Sequence, residues 1–197
     1  FRRVLFRSLL KAQLEAIGWN GSPGSPRVLV FTEYRETQDA LAEALAKDFK
    51  LKYSPKFEHQ PRQVLATING SCPDIHLMDT IEAFGTAATE MRMLLATDVA
   101  SEGVNLHHQC HNIIHYDLPW SIITLIQRNG RIDRKLQPQP IVFCRYFFYT
   151  QRPEDRVLRA LVRKQGRIRE ELGTFSKVLS NKLASKLDKG IQRNLVG

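Results

Sequence analysis

Leu94-Leu95-Ala96-Thr97-Asp98-Val99-Ala100-Ser101-Glu102-Gly103-Val104-Asn105-Leu106 passes from an apolar run into a small, polar loop, and Gln127-Arg128-Asn129-Gly130-Arg131-Ile132-Asp133-Arg134 follows downstream. The first stretch reads as a buried strand that ends at Ala96, with Thr97 just past it. The second sets two arginines three residues apart beside a glycine. On a helix, Gln127, Arg131 and Arg134 fall at i, i+4 and i+7 and share one face. Two permanently charged guanidinium forks and an amide on one face suit a polyphosphate better than a core. Taken alone, the octapeptide is equally a solvated basic helix end.

On either side of these stretches the chain alternates between strand and helix patterns. Strands are expected at Arg27–Phe31, Gln63–Ile68, Met91–Ala96, Asn112–Tyr116 and Ile141–Tyr149, short runs rich in apolar and β-branched residues. Helices are expected from Leu9 to Trp19, from a Thr37 cap to Asp48 with Ala40, Leu41, Ala44 and Leu45 inward, and from Asp74 to Phe84 with Leu77, Met78, Ile81 and Phe84 on one side. A further helix starts at Ser121 and buries Ile122, Leu125 and Ile126. Asn20–Pro26 reads as a flexible hinge, and Lys50–Arg62 as a surface loop. Such alternation argues for an α/β fold, a parallel sheet with helices on both faces. Pro153–Leu172 and Thr174–Lys189 read as two amphipathic helices that extend it.

Composition bounds the function. The 197 residues are 43% hydrophobic and 25% charged, which is globular rather than disordered. No apolar run reaches the roughly 18 residues that a membrane span needs. Cys72, Cys110 and Cys144 are odd in number and scattered, which argues against a disulfide framework and suits a reducing cytoplasm. Of the net charge of +9, +7 lies between Gln151 and Gly197, where 12 Lys and Arg face 5 Asp and Glu. That basic tail suits nucleic acid or another polyanion, or is simply a lysine-rich solvated surface. His107-His108-Gln109-Cys110-His111 is too crowded to share one ion without a second cluster, so it reads as a structural loop and no metal is expected. Phe1-Arg2-Arg3-Val4-Leu5-Phe6-Arg7-Ser8 resembles a translated sequencing adapter and is set apart from the fold as a non-native leader.

The two quoted stretches resemble motifs V and VI of superfamily 2 helicases and translocases, roughly ATD-x-x-x-EG-[ILV]-[ND] and Q-R-x-GR-x-x-R. Val28-Leu29-Val30-Phe31-Thr32-Glu33-Tyr34 resembles motif IV, and Asp117-Leu118-Pro119-Trp120 the D-x-PW of Swi/Snf-type ATPases. All occur in the family's order. Lys135-Leu136-Gln137-Pro138-Gln139-Pro140 stands where Swi/Snf-type motors continue as R-x-GQ, and Asn129 replaces an apolar residue of many relatives. Among bacterial groups the closest resemblance is to RapA-like or DISARM-type translocases.

The resemblance implies that residues 27–150 form the second RecA-like domain of such a motor. Residues 9–26 are then a linker helix and hinge, and residues 151–197 a basic helical extension. It implies Arg131 and Arg134, with Gln127 near them, as arginine fingers to the γ-phosphate of ATP. Glu102 and Gly103 would sit close to the nucleotide, and Asp98 would couple the nucleic-acid side to the ATP side. Ligands gather at the carboxyl ends of strands in open α/β sheets. Thr32, Asn69, Gly70, Ser71 and Thr97 lie there and are assigned to the nucleic-acid backbone. The expected partners are nucleic acid, with double-stranded DNA foremost, and an upstream RecA-like domain. No GxxxxGK[ST] loop and no D-E-x-H motif occur in the chain. ATP with Mg²⁺ is therefore expected mainly on that upstream domain, and the chain alone is expected to hydrolyse no ATP. The alternative is a stand-alone nucleic-acid-binding module with the same fold.

Overall fold

Strands of four residues are interspersed with helices, and the sheet they make is covered on both sides. The structure, a computed structural model, describes residues 2–98, 104–147, 156–157, 159–164 and 167. Its elements run α1 (Arg2–Ala16), β1 (Val28–Phe31), α2 (Arg35–Asp48), β2 (Leu65–Ile68), α3 (Asp74–Gly85), β3 (Met93–Ala96), β4 (Asn112–His115), α4 (Ile122–Asn129) and β5 (Phe143–Tyr146). The strands form one five-stranded sheet in the order β2-β3-β1-β4-β5. Every pairing is parallel, with Val28 opposite both Met93 and Asn112. The sheet is therefore a doubly covered α/β architecture, as expected.

Alternation along β1 divides the core. Val28 and Val30 pack with Phe6, Leu10 and Leu14 of α1 and Leu41 and Leu45 of α2. Leu29 and Phe31 point the other way, to Ala83 and Phe84 of α3 and to Ile132 beyond α4. Every residue of β1 to β4 is buried, the pattern of parallel strands closed on both faces. At the edge, β5 is only partly covered, and Phe143 is exposed.

Several expectations are corrected. α2 begins at Arg35, so Thr37 lies within the helix and caps nothing; Tyr34 holds the cap position without a side-chain bond. Its inward face is Gln38, Leu41, Ala42, Leu45 and Ala46, while Ala40 is exposed. The reason is Gln38, whose buried amide donates to the carbonyls of Ile68 and Leu95 at 2.8 and 2.9 Å and so fixes the helix's rotation. On α3 the inward residues are Thr80, Ala83 and Phe84, with Leu77 and Ile81 partly buried against the same core, while Met78 is 63% exposed. Asn20–Pro26 is a bonded turn, not an open hinge: Asn20 Oδ1 accepts from Ser22 N–H at 2.9 Å and Ser25 Oγ at 2.7 Å. Gly21 serves that turn with a φ of +79°. Lys50–Arg62 contains a 3-10 turn, Phe57–Arg62, pinned by buried Gln60, whose Oε1 accepts from Thr67 N–H at 2.8 Å.

α1 continues unbroken through Ser8, and Phe6 is buried against Tyr116 and Phe147. Residues 2–8 thus belong to the same helix as residues 9–16, which begins earlier than the expected Leu9. Beyond β5 the described residues among 156–167 are helical. The Thr174–Lys189 helix lies outside the described residues. Among those described, no helix is long and apolar enough to cross a membrane.

Candidate nucleotide and nucleic-acid site at the carboxyl edge of the sheet

Thr32, Asp98 and Asp117 follow the carboxyl ends of the neighbouring strands β1, β3 and β4. One side chain ties them together. Arg128, on the inward face of α4 and only 1% exposed, donates from Nε to Asp98 Oδ1 at 2.6 Å and from Nη2 to Asp98 Oδ2 at 2.8 Å. Its Nη1 donates to the Asp117 carbonyl at 2.9 Å, and its Cζ lies 5.1 Å from the Phe31 ring centroid. Asp117 in turn accepts from Thr32 Oγ1 and Glu33 N–H, both at 2.8 Å. Burial pushes the Asp117 carboxyl above its usual range, against the pull of Glu33 N–H, Thr32 and Arg128. A two-pronged guanidinium–carboxylate contact fixes both direction and distance. The loops after β1, β3 and β4 are therefore held as one unit.

Motif reading does not single out Arg128. A signal exists all the same: it stands three residues after Leu125 and four before Ile132, both buried, so helical spacing alone puts it inward. The expectation that Gln127, Arg131 and Arg134 share a helix face is corrected. α4 ends at Asn129, and Arg131 and Arg134 lie in the turns that follow. Two contacts anchor the chain at this point. Asn129 Oδ1 accepts from His115 Nε2 at 2.8 Å while its Nδ2 donates to Tyr146 Oη, and Ile132 is drawn into the core. A Cβ on Gly130 would come within 3.3 Å of the Ile126 carbonyl, a close approach that favours glycine at this bend.

Arg131 and Arg134 are half-buried, and Gln127 is exposed. Arg131 Nη1 donates to the Val104 carbonyl at 3.4 Å, and Leu106 N–H donates to the Arg131 carbonyl at 2.9 Å. The arginine turn is thus stitched to the segment that leaves the β3 loop. Arg134 Nε donates to the Gly130 carbonyl at 2.8 Å. Glu102 and Gly103 lie outside the described residues.

The polymer-facing set divides. Thr32, Asn69 and Thr97 are buried, and two of the three are already engaged. Thr32 Oγ1 bonds Asp117, while Asn69 donates to Gln38 Oε1 and accepts from Ser71 N–H. Gly70 and Ser71 are exposed, with Arg35 donating to Ser71 Oγ at 2.8 Å. Two aromatic side chains at this edge escape motif reading: Tyr34 and Trp120 are each 59% exposed, just past the ends of β1 and β4. In the histidine loop, His107 is buried with neither ring nitrogen bonded, and burial foremost lowers its pKa. Among the described residues no group of three His, Cys, Asp or Glu could hold a metal ion.

A family profile described as the helicase conserved C-terminal domain matches residues 10–135. The chain belongs to this family. Within it, the chain is 33% identical over 92 residues to an uncharacterized ATP-dependent helicase, YqhH, of Bacillus subtilis, covering 46% of this chain and 16% of that protein. It is 32% identical over 132 residues to the ATP-dependent DNA helicase mph1 of Sclerotinia sclerotiorum, covering 67% of this chain and 10% of that one. Over 115 residues it is 30% identical to the ATP-dependent RNA helicase rok1 of Neurospora crassa, covering 58% of this chain and 14% of that one. This helicase C-terminal domain thus spans a sixth or less of each of these proteins. Its fold is similar to the C-terminal part of the Fun30 ATPase domain, with a TM-score of 0.61 at 16% identity over 91% of this chain and 51% of that one. A DEAD box protein of Methanococcus jannaschii gives 0.56 at 22% identity over 79% and 36%. The fold is RecA-like, and the chain is a superfamily 2 helicase C-terminal domain.

Proposed function

We propose that this domain is the second motor domain of an ATP-dependent nucleic-acid translocase or helicase. In this reading it closes on ATP held by an upstream RecA-like domain and presents Arg131 and Arg134 to the γ-phosphate, with Gln127 beside them. Fixed cations aimed at charge that develops during phosphoryl transfer stabilise the transition state. Such an arginine is worth roughly 10³–10⁵ in rate. Glu102, Gly103 and Asp98 complete the nucleotide side, and Mg²⁺, which neutralises phosphate charge, belongs with the upstream domain. The relatives named as DNA and RNA helicases support a nucleic-acid substrate, and the D-x-PW motif favours duplex DNA and a Swi/Snf-type or RapA-like subfamily. Gly70 and Ser71, with Thr32, Asn69 and Thr97 behind them, form the phosphate-backbone surface. Tyr34 and Trp120 flank it.

The observation that carries this reading is the Arg128–Asp98 pair. It joins the segment that bears Arg131 and Arg134 to the loops proposed to meet the polymer, which is the connection a nucleic-acid-stimulated ATPase needs. The test is kinetic, in the protein that supplies the phosphate-loop domain. Arg131→Ala or Arg134→Ala should cut nucleic-acid-stimulated turnover by roughly 10³ or more, with ATP and nucleic-acid affinity within several-fold. Unchanged turnover with weakened nucleic-acid binding would instead favour the stand-alone binding module. The 197-residue chain by itself should release no phosphate from ATP above background.

A further inference from the structure

At the amino ends of the strands, residues that precede β1, β3, β4 and β5 surround a pocket of about 250 Å³. Arg27 and Arg92, the residues just before β1 and β3, line it together with His108, His111, Gln137 and Gln139. Both arginines are more than nine-tenths buried. Burying a guanidinium without an opposite charge is unfavourable, so its partners matter. Arg27 donates to the carbonyls of Met91 and Thr86 and to Gln109 Oε1. Arg92 donates from Nε to the Pro23 carbonyl and from Nη1 to those of Thr89 and Met91. Neither has a carboxylate within ion-pair distance among the described residues, and Arg92 Nη2 has no hydrogen bond to them. Burial, then the nearby charge of Arg92, lowers the Arg27 pKa.

The pocket wall therefore holds two neighbouring positive charges with no negative one, and its remaining polar lining is amide, hydroxyl and imidazole. Carbonyl oxygens satisfy hydrogen bonds but leave net charge in place. A tetrahedral oxyanion would supply both acceptors and compensating charge. We propose that this pocket is a phosphate-binding site, separate from the carboxyl-edge site, that takes the phosphate group of a small ligand. Its concave shape and its place at the opposite end of the strands favour a free anion over a continuous polymer backbone.

The experiment is calorimetric titration of the 197-residue protein with pyrophosphate and, separately, with a duplex oligonucleotide. Saturable pyrophosphate binding is expected. Gln139 is exposed on the rim, so Gln139→Glu should weaken binding at least tenfold and Gln139→Lys should strengthen it several-fold, with thermal midpoints unchanged. Arg92→Gln should abolish binding; should that variant not fold, the two Gln139 variants decide alone. Pyrophosphate binding lost in Arg131→Ala but indifferent to the charge at residue 139 would place the anion at the arginine turn and overturn this site. If the oligonucleotide displaces pyrophosphate and itself binds less tightly to Gln139→Glu, the site is phosphate-binding but its source is nucleic acid, and the small-ligand assignment is overturned. No saturable binding, or binding indifferent to the charge at residue 139, would overturn the site itself.

Discussion

At Arg128, a guanidinium that is 1% exposed holds both oxygens of Asp98, so removing either partner strands a charge. Breaking a buried pair in this way is destabilising, and because the Asp98 side chain is 35% exposed the cost is discounted to roughly 2–4 kcal/mol. Arg128→Lys should lose most of that in urea denaturation, since an ammonium cannot make the two-pronged contact. Arg131→Ala should move the same midpoint by less than about 1 kcal/mol. Equal losses in the two variants would refute the division of labour between these arginines. His115 gives a second residue-scale expectation. It is buried between Phe31 and Tyr146, and desolvation, then the charge of Arg128, pushes its pKa down to about 3. The folded state keeps the imidazole neutral while the unfolded chain protonates near pH 6.5. Its contribution is therefore complete above pH 6.5 and is lost progressively as pH falls towards about 3. Stability measured from about pH 7 to about pH 4 should fall less steeply in His115→Gln than in the parent protein.

Among the elements, the strands are legible in the sequence and the helix boundaries less so. Four of the five strands are buried along their whole length because parallel strands covered on both faces leave no solvent side, and β1 and β3 are accordingly apolar runs that stand out against their neighbours. The rotation of α2 is not legible, because a buried amide rather than a methyl group sets it. Gln38 looks like a surface residue until the carbonyls of Ile68 and Leu95 are seen to need a donor. Gln38→Leu should cost about 1–3 kcal/mol by removing a donor from each of those carbonyls and the acceptor that Asn69 Nδ2 uses, read from the thermal or urea midpoint. A change under about 0.5 kcal/mol would mean that water or a shifted neighbour satisfies them. The carboxyl-edge site is half legible. Its motifs mark loops that the structure gathers at one edge of the sheet, but helical spacing does not foresee that α4 stops at Asn129, whose side chain bonds His115 on a neighbouring strand. Pattern reading likewise does not foresee that the Thr32 hydroxyl donates to Asp117.

For the whole molecule, charge is the property that sequence reports most directly. Excess positive charge of +7 is concentrated after Gln151, and a near-neutral domain precedes it. If the lysine row Lys177, Lys182, Lys186 and Lys189 meets phosphates, substituting it should flatten the dependence of log K on log salt by about one unit for each phosphate that a lysine no longer neutralises. An unchanged slope would make that row a solvated surface. Within the sheet domain, Arg128 also has a mechanical consequence. Because one rigid planar group grips the Asp98 carboxylate and the Asp117 carbonyl together, a shift at either is resisted by the other. A tug on the backbone near Thr97 is passed on at once to the turn at Gly130, as through a cotter pin. Amide exchange in Arg128→Lys should accordingly quicken in both places together.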